Sequence, residues 1–206
     1  MLLLESSFFQ LIADQFIHTT WLEWLGVFSG FICIYLATKE NVLSWPISII
    51  SVVAYAWVFL DAKMYGDMAL QFYFLFTAFY GWYFWIRKKE VNDKPVTNLS
   101  RKGWWIAIGS IVALSVVLGL FLDYFTDTNV PYEDGFCTAM SFVAQLLLSR
   151  KILQNWILWI IVDLCYIPLY IYKNLNLSAI FYAFLVAIAI KGYIDWRKTY
   201  RREQAN

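Results

Sequence analysis

The chain has 206 residues, 61% of them hydrophobic and 20% aromatic, with 16 Lys and Arg against 15 Asp and Glu. With a mean hydropathy of +0.58, this composition excludes an ordinary soluble domain and points to an all-α integral membrane protein, whose first partner is the lipid bilayer. A single histidine, His18, and three dispersed cysteines, Cys33, Cys137 and Cys165, leave no ligand set for haem, zinc or di-iron chemistry, so no cofactor is expected, and no nucleic-acid partner.

Residues 1–19 mix Leu2, Phe8, Phe9 and Phe16 with Glu5, Gln10 and Asp14 and contain no Lys or Arg, which excludes a secretory signal and predicts a short interfacial segment. Apolar runs follow at 21–38, 45–61, 68–86, 103–122, 136–149, 153–172 and 178–194. Each is near the ~17–25 residues that a spanning helix needs, though the fifth is short, so seven transmembrane helices are predicted. The positive residues set the orientation. Lys39, the cluster from Arg87 to Lys102, the pair Arg150 and Lys151, and the group from Lys191 to Arg202 all fall on the cytoplasmic side if the N-terminus is outside, leaving only Lys63 and Lys173 external. The acidic stretch holding Asp123, Asp127, Glu133 and Asp134 then lies outside, and the C-terminus is cytoplasmic.

Laid on itself at an offset of 111 residues, the chain matches Glu23 with Asp134, Leu36 with Leu147, Lys39 with Arg150, Trp45 with Trp156, Tyr55 with Tyr166, Gly81 with Gly192 and Trp85 with Trp196. Two three-helix units are implied, at 20–86 and 123–196, joined by a cytoplasmic loop and linker helix at 87–122 and followed by a basic tail at 197–206. A unit with an odd number of crossings would invert its copy, and the linker helix restores the orientation, which gives parallel repeats about the membrane normal. The match fails at three places: Ser48 stands opposite Trp159, Val52 opposite Asp163, and Gln71 opposite Tyr182. One asymmetric site is therefore expected.

That site centres on the sixth run. Trp156, Trp159, Asp163, Tyr166 and Tyr170 recur at spacings of three and four and share one helical stripe. Trp156 alone reads equally well as an interfacial anchor near Arg150 and Lys151. Asp163 does not, because an ionised carboxylate at mid-bilayer costs ~2.5–3.5 kcal/mol on insertion scales and usually faces a cavity or a partner. Gln71 and Gln145 are the other deep polar side chains, the latter equally explicable as interhelical glue. Pro168 is expected to kink the sixth helix, whereas Pro46 reads as a first-turn proline. Two indoles beside an acid suit a flat cation, while a phosphorylated ligand would need Lys or Arg at that depth.

NWILWIIVD at 155–163 resembles the WxxWxxxN signature of the Pnu family of bacterial vitamin transporters, and QFYFLFTAFYGW at 71–82 is similar to that family's third core helix. The resemblance implies a three-plus-one-plus-three helix fold related to the sugar-carrying SWEETs, a homotrimer in the bacterial inner membrane, and facilitated diffusion with the vitamin trapped by a cytoplasmic kinase. It also implies that Trp156, Trp159, the position of Asp163, and Gln71 bind substrate. Family branches carry nicotinamide riboside, thiamine or riboflavin. Asp163 stands where nicotinamide riboside members have Asn, and Ala78 and Ser51 where they tend to have further Asn, so thiamine is expected ahead of nicotinamide riboside. A proton-coupled carrier and a membrane enzyme using Asp163 are the distant alternatives. The enzyme lacks a second catalytic group at that depth.

Overall fold

The computed structural model describes residues 19–61, 65–91, 96–172 and 176–205. The expected interfacial segment lies, apart from Thr19, outside the described residues. Seven helices follow in order: α1 (Trp21–Thr38), α2 (Ser44–Asp61), α3 (Tyr65–Val91), α4 (Arg101–Phe125), α5 (Pro131–Ser149), α6 (Asn155–Tyr172) and α7 (Asn176–Ala205). Length and apolarity alone mark five of them as able to cross a membrane: α1, α2, α4, α6 and the Ala179–Ala205 part of α7. The other two carry more polar sequence for visible reasons. α3 runs out of its apolar stretch into Arg87, and α5 opens on Glu133 and Asp134 and turns much of its surface to α3, α4 and α6 instead of lipid.

Local chemistry sets the helix ends. Thr20 caps α1 in a reciprocal box, its Oγ1 accepting from the Glu23 N–H at 3.3 Å while the Glu23 carboxylate accepts from the Thr20 N–H at 2.5 Å. Ser100 caps α4 by accepting from the Gly103 N–H at 3.1 Å, and Pro131 opens α5 where its missing donor costs nothing. Pro168 lies inside α6 without ending it, since the helix continues to Tyr172, so the proline costs one backbone bond and no break. The basic tail is helical to Ala205, because Arg, Lys, Glu and Gln are good helix formers and prolong α7 beyond its apolar stretch.

The packing repeats as the sequence does. α1 packs on α2 and α2 on α3; α5 packs on α6 and α6 on α7; the two trios meet through α1 with α7 and α3 with α5. Exchanging α1, α2 and α3 for α5, α6 and α7 maps this set of neighbours onto itself. Only α4 lacks a counterpart, and it lies against α5. Atomic detail follows the same offset. Glu40 and Lys151 both adopt φ 54°, in the left-handed region, just past α1 and α5. The N–H of Asn41 donates to the Leu36 carbonyl at 3.0 Å, and that of Ile152 to the Leu147 carbonyl at 3.0 Å. Trp196 Nε1 donates to the Ala37 carbonyl at 3.0 Å, while Trp85 Nε1 donates to the carbonyls of Leu148 and Ser149 at 3.4 and 3.1 Å. The two interhelical turns also touch, with Lys151 Nζ 3.6 Å from the Glu40 carboxylate. Equivalent turns thus share one end of the bundle, which is the parallel arrangement and not the inverted one.

Candidate functional site

A cavity of about 350 Å³ lies between the two trios, within the ~300–1,000 Å³ range typical of small-molecule sites. All six residues singled out from the sequence border it: Gln71, Gln145, Trp156, Trp159, Asp163 and Tyr166. So do both members of every pair at which the repeat fails, Ser48 and Trp159, Val52 and Asp163, Gln71 and Tyr182. The scaffold is duplicated around the cavity, and its lining only in part. Both walls carry aromatic rings, Trp45, Phe59 and Phe74 from the first trio facing Trp156, Trp159, Tyr166, Tyr170 and Tyr182 from the second, but the acid, Asp163, comes from the second alone.

Helical periodicity builds the acidic wall. From Asn155, α6 rises ~1.5 Å per residue, so Trp156, Trp159, Asp163, Tyr166 and Tyr170 form a ladder about 20 Å long on one face. Trp159 bridges the two apolar cores of the molecule, one around the buried tryptophans and the other around Val143, Leu147 and Val162. Asp163 is 3% exposed, and its carboxylate has no hydrogen-bond or ion-pair partner among the described residues. Tyr166 lies beside the hydroxyls of Thr138 and Ser141 on α5. Its ring meets Tyr182 at 4.7 Å and Tyr170 at 5.6 Å, and Tyr170 stacks on Tyr182 at 5.1 Å.

Trp156 proves to be interior, not an interfacial anchor: it is 2% exposed and meets Trp196 edge-on at 5.5 Å. Its repeat mate Trp45 meets Trp85 edge-on at 5.2 Å and also lines the cavity, next to Ser44. Ala78 and Ser51 stand away from the lining. Ala78 is fully enclosed in the tryptophan core, and Ser51 Oγ donates to the Gly26 carbonyl at 2.8 Å, tying α2 to α1. Several lining residues escaped the sequence reading. Trp45 and Tyr182 were within reach by carrying Trp156 and Gln71 through the 111-residue offset. Thr138 and Ser141 extend the already identified Gln145 into a polar stripe at spacings of three and four on α5, a signal that was there to read.

The cavity has no Lys, Arg or His among its described lining residues and one unpartnered acid. Such a chamber favours a cation with a flat ring and offers nothing to a phosphate. No group of three or more His, Cys, Asp or Glu that would hold a metal occurs among the described residues. A second, open and almost wholly apolar pocket of about 380 Å³ lies between α5 and α6, near Cys137, Cys165 and Pro168. It offers no comparable polar chemistry.

Comparison with known proteins agrees with this architecture. The model of the family described as "Nicotinamide mononucleotide transporter" matches residues 20–198. The chain is 25% identical over 203 residues to the "Nicotinamide riboside transporter PnuC" of Escherichia coli, covering 86% of this chain and 85% of that protein. It is 26% identical over 207 residues to the protein of the same name from Neisseria mucosa, covering 94% and 78%. Against the "Riboflavin/roseoflavin transporter RibM" of Streptomyces davaonensis the identity is 26% over 191 residues, covering 90% and 89%. The solved structure described as "Crystal structure of the Vitamin B3 transporter PnuC" superposes with a TM-score of 0.72 at 24% identity, over 94% of this chain and 88% of that one, and so shares its fold. This chain belongs to the nicotinamide mononucleotide transporter family, and is a multi-pass membrane transporter and not an enzyme.

Proposed function

We propose that this protein takes up an unphosphorylated, positively charged B-vitamin across the bacterial inner membrane, with nicotinamide riboside as its first substrate. The observation that carries the reading is Asp163, a buried and unpartnered carboxylate facing a chamber whose described lining has aromatic rings but no basic side chain. A pyridinium ring supplies the missing positive charge and a flat face for Trp159 and Tyr166. A 5′-phosphate would be buried beside Asp163 without a counter-ion, so the nucleotide itself is disfavoured. The relatives named as nicotinamide riboside transporters turn the balance from thiamine, which the acid alone favours, to nicotinamide riboside. Thiamine stays the second reading, because its aminopyrimidine can pair with a carboxylate where an Asn would serve less well.

Because the substrate's fixed charge neutralises Asp163, loading needs no accompanying ion. Facilitated diffusion follows, with cytoplasmic phosphorylation making the product unfit to return through the same chamber. The distribution of positive residues supports an external N-terminus and a cytoplasmic C-terminus, and the family resemblance favours a homotrimer. Liposomes carrying the purified protein are the test. They should equilibrate nicotinamide riboside without an ion gradient, exclude nicotinamide mononucleotide, and be indifferent to a protonophore. Accumulation against a gradient that collapses with the protonophore, or equal passage of the mononucleotide, would refute this mechanism.

A further inference from the structure

Beyond the end of the cavity lined by Ser44, Trp45 and Trp156 lies a largely buried layer built from repeat-equivalent parts. Its centre is the pair Glu40 and Lys151, 111 positions apart, which reach toward each other across the two trios at 3.6 Å with side chains only 15% and 10% exposed. Each stands at φ 54°, a conformation that disfavours residues with a side chain, so neither turn is at its local conformational optimum. Lys151 Nζ also lies 4.7 Å from the centre of the Trp85 ring.

A strap crosses the same layer. In the connector before α4, the Thr97 N–H donates to the Lys151 carbonyl at 2.9 Å and the Leu153 N–H to the Thr97 carbonyl at 2.8 Å, forming a short parallel bridge. The Leu99 N–H donates to Gln154 Oε1 at 2.9 Å, and Gln154 Nε2 donates to Asn98 Oδ1 at 3.2 Å. Val96, 2% exposed, plugs into the core formed by Trp45, Trp85, Trp156 and Trp196.

This closed layer leaves a symmetric set of buried polar atoms without hydrogen bonds: Ser44 Oγ and Asn155 Oδ1, Trp45 Nε1 and Trp156 Nε1, again two pairs related by the offset. Unpaired buried groups burden the form that holds them and favour any form that wets them.

The geometry points to the Glu40–Lys151 pair and the Val96–Leu99 strap as the cytoplasmic gate, held shut here and separating along the boundary between the two trios when the cavity opens inward. This rests on the transport reading above. The ion pair fastens the two turns together at the pseudo-axis, the strap covers the joint, and the orphaned groups beneath it lower the cost of opening. Removing Lys151's charge strips the largely buried Glu40 of its partner, and removing Glu40's charge cuts the tie between the two turns, so either change weakens the closed form specifically.

The test uses full-length protein with Cys33, Cys137 and Cys165 replaced by Ala and Val96→Cys as reporter, labelled by a water-soluble maleimide in detergent solution. Labelling should be slow in this parent and about tenfold faster after Glu40→Gln or Lys151→Gln, the scale expected when one member of a largely buried pair is removed. The charge exchange Glu40→Lys with Lys151→Glu should restore slow labelling, which a variant that merely misfolds would not do. Equal rates in parent and single variants, or no recovery in the exchange, overturn the gate. A second arm joins Glu40→Cys to Lys151→Cys with a short bifunctional thiol reagent in liposomes, with Val96 retained. Uptake of nicotinamide riboside should stop while quenching of tryptophan fluorescence by the ligand persists. Uptake at the parent rate through cross-linked protein overturns the gate and leaves the transport reading intact. Charge-dependent Val96→Cys labelling in a protein that moves no vitamin would support the gate and refute the transport reading.

Discussion

Trp45 and Trp156 occupy the same environment twice: each closes the floor of the cavity, each meets a second tryptophan edge-on at an interplanar angle of 89°, and each presses on a glycine of the third helix of its own trio. A Cβ built on Gly81 would lie 2.4 Å from the Trp45 ring, and one on Gly192 would lie 2.7 Å from the Trp156 ring. The glycines are where they are because the rings need the space.

Gly81→Ala and Gly192→Ala should therefore both destabilise the protein, each by the ~1–3 kcal/mol typical of overpacking in a close-packed core. Gly109, whose added Cβ would meet nothing within 4 Å, is the internal control. Thermal unfolding in detergent should show a lower midpoint for the first two and little change beyond helix propensity for Gly109→Ala. A fall confined to one of the pair would mean that the two halves are not packed alike.

Much of this was legible in the sequence, for identifiable reasons. Hydrophobic run length gave the seven helices, since lipid leaves a spanning backbone few alternatives. The offset of 111 gave the equivalence of the trios, because rigid packing such as Trp45 on Gly81 fixes residue identity at both copies. The stripe on α6 gave the acidic wall, because helical periodicity is local. What stayed hidden depends on contacts distant in sequence. Nothing local marks Val96 or Thr97 as a strap on the α5–α6 turn, nor distinguishes Trp156 as a core residue from Trp156 as an anchor. Ala78 and Ser51, which the family likeness marks as substrate determinants, instead pack helices together. Sequence likeness gave their positions, and only the fold gave their direction.

The orientation is open to direct measurement. In a cysteine-free background, Asn129→Cys on the α4–α5 connection should react with an impermeant reagent applied to intact cells. Arg101→Cys, at the start of α4, should react only after the cytoplasmic face is exposed. Both positions are solvent-facing, so slow reaction through burial is not at issue. The reverse pattern would overturn the charge-based orientation and place the proposed gate on the outer face.

Asp163→Asn tests the site itself. The change preserves shape and much of the hydrogen bonding but removes the charge, so a cationic ligand loses its partner. Loss of a charged hydrogen bond is worth roughly 1.5–3 kcal/mol, on the order of tenfold to more than a hundredfold in dissociation constant. Thiamine should suffer the full loss, because both its fixed charge and its aminopyrimidine look to the carboxylate. Nicotinamide riboside should lose less, since an Asn amide can still pair with the carboxamide and restores the WxxWxxxN pattern. Trp159→Ala should weaken both ligands to a similar degree by removing a stacking face, whereas Val52→Ala, on the opposite wall, should cost little. Tryptophan-fluorescence titrations of parent and variants with both vitamins decide the matter. Unchanged affinity for both in the Asn variant would show that Asp163 is not the cation's partner, and the charge-based account of the cavity would fall with it.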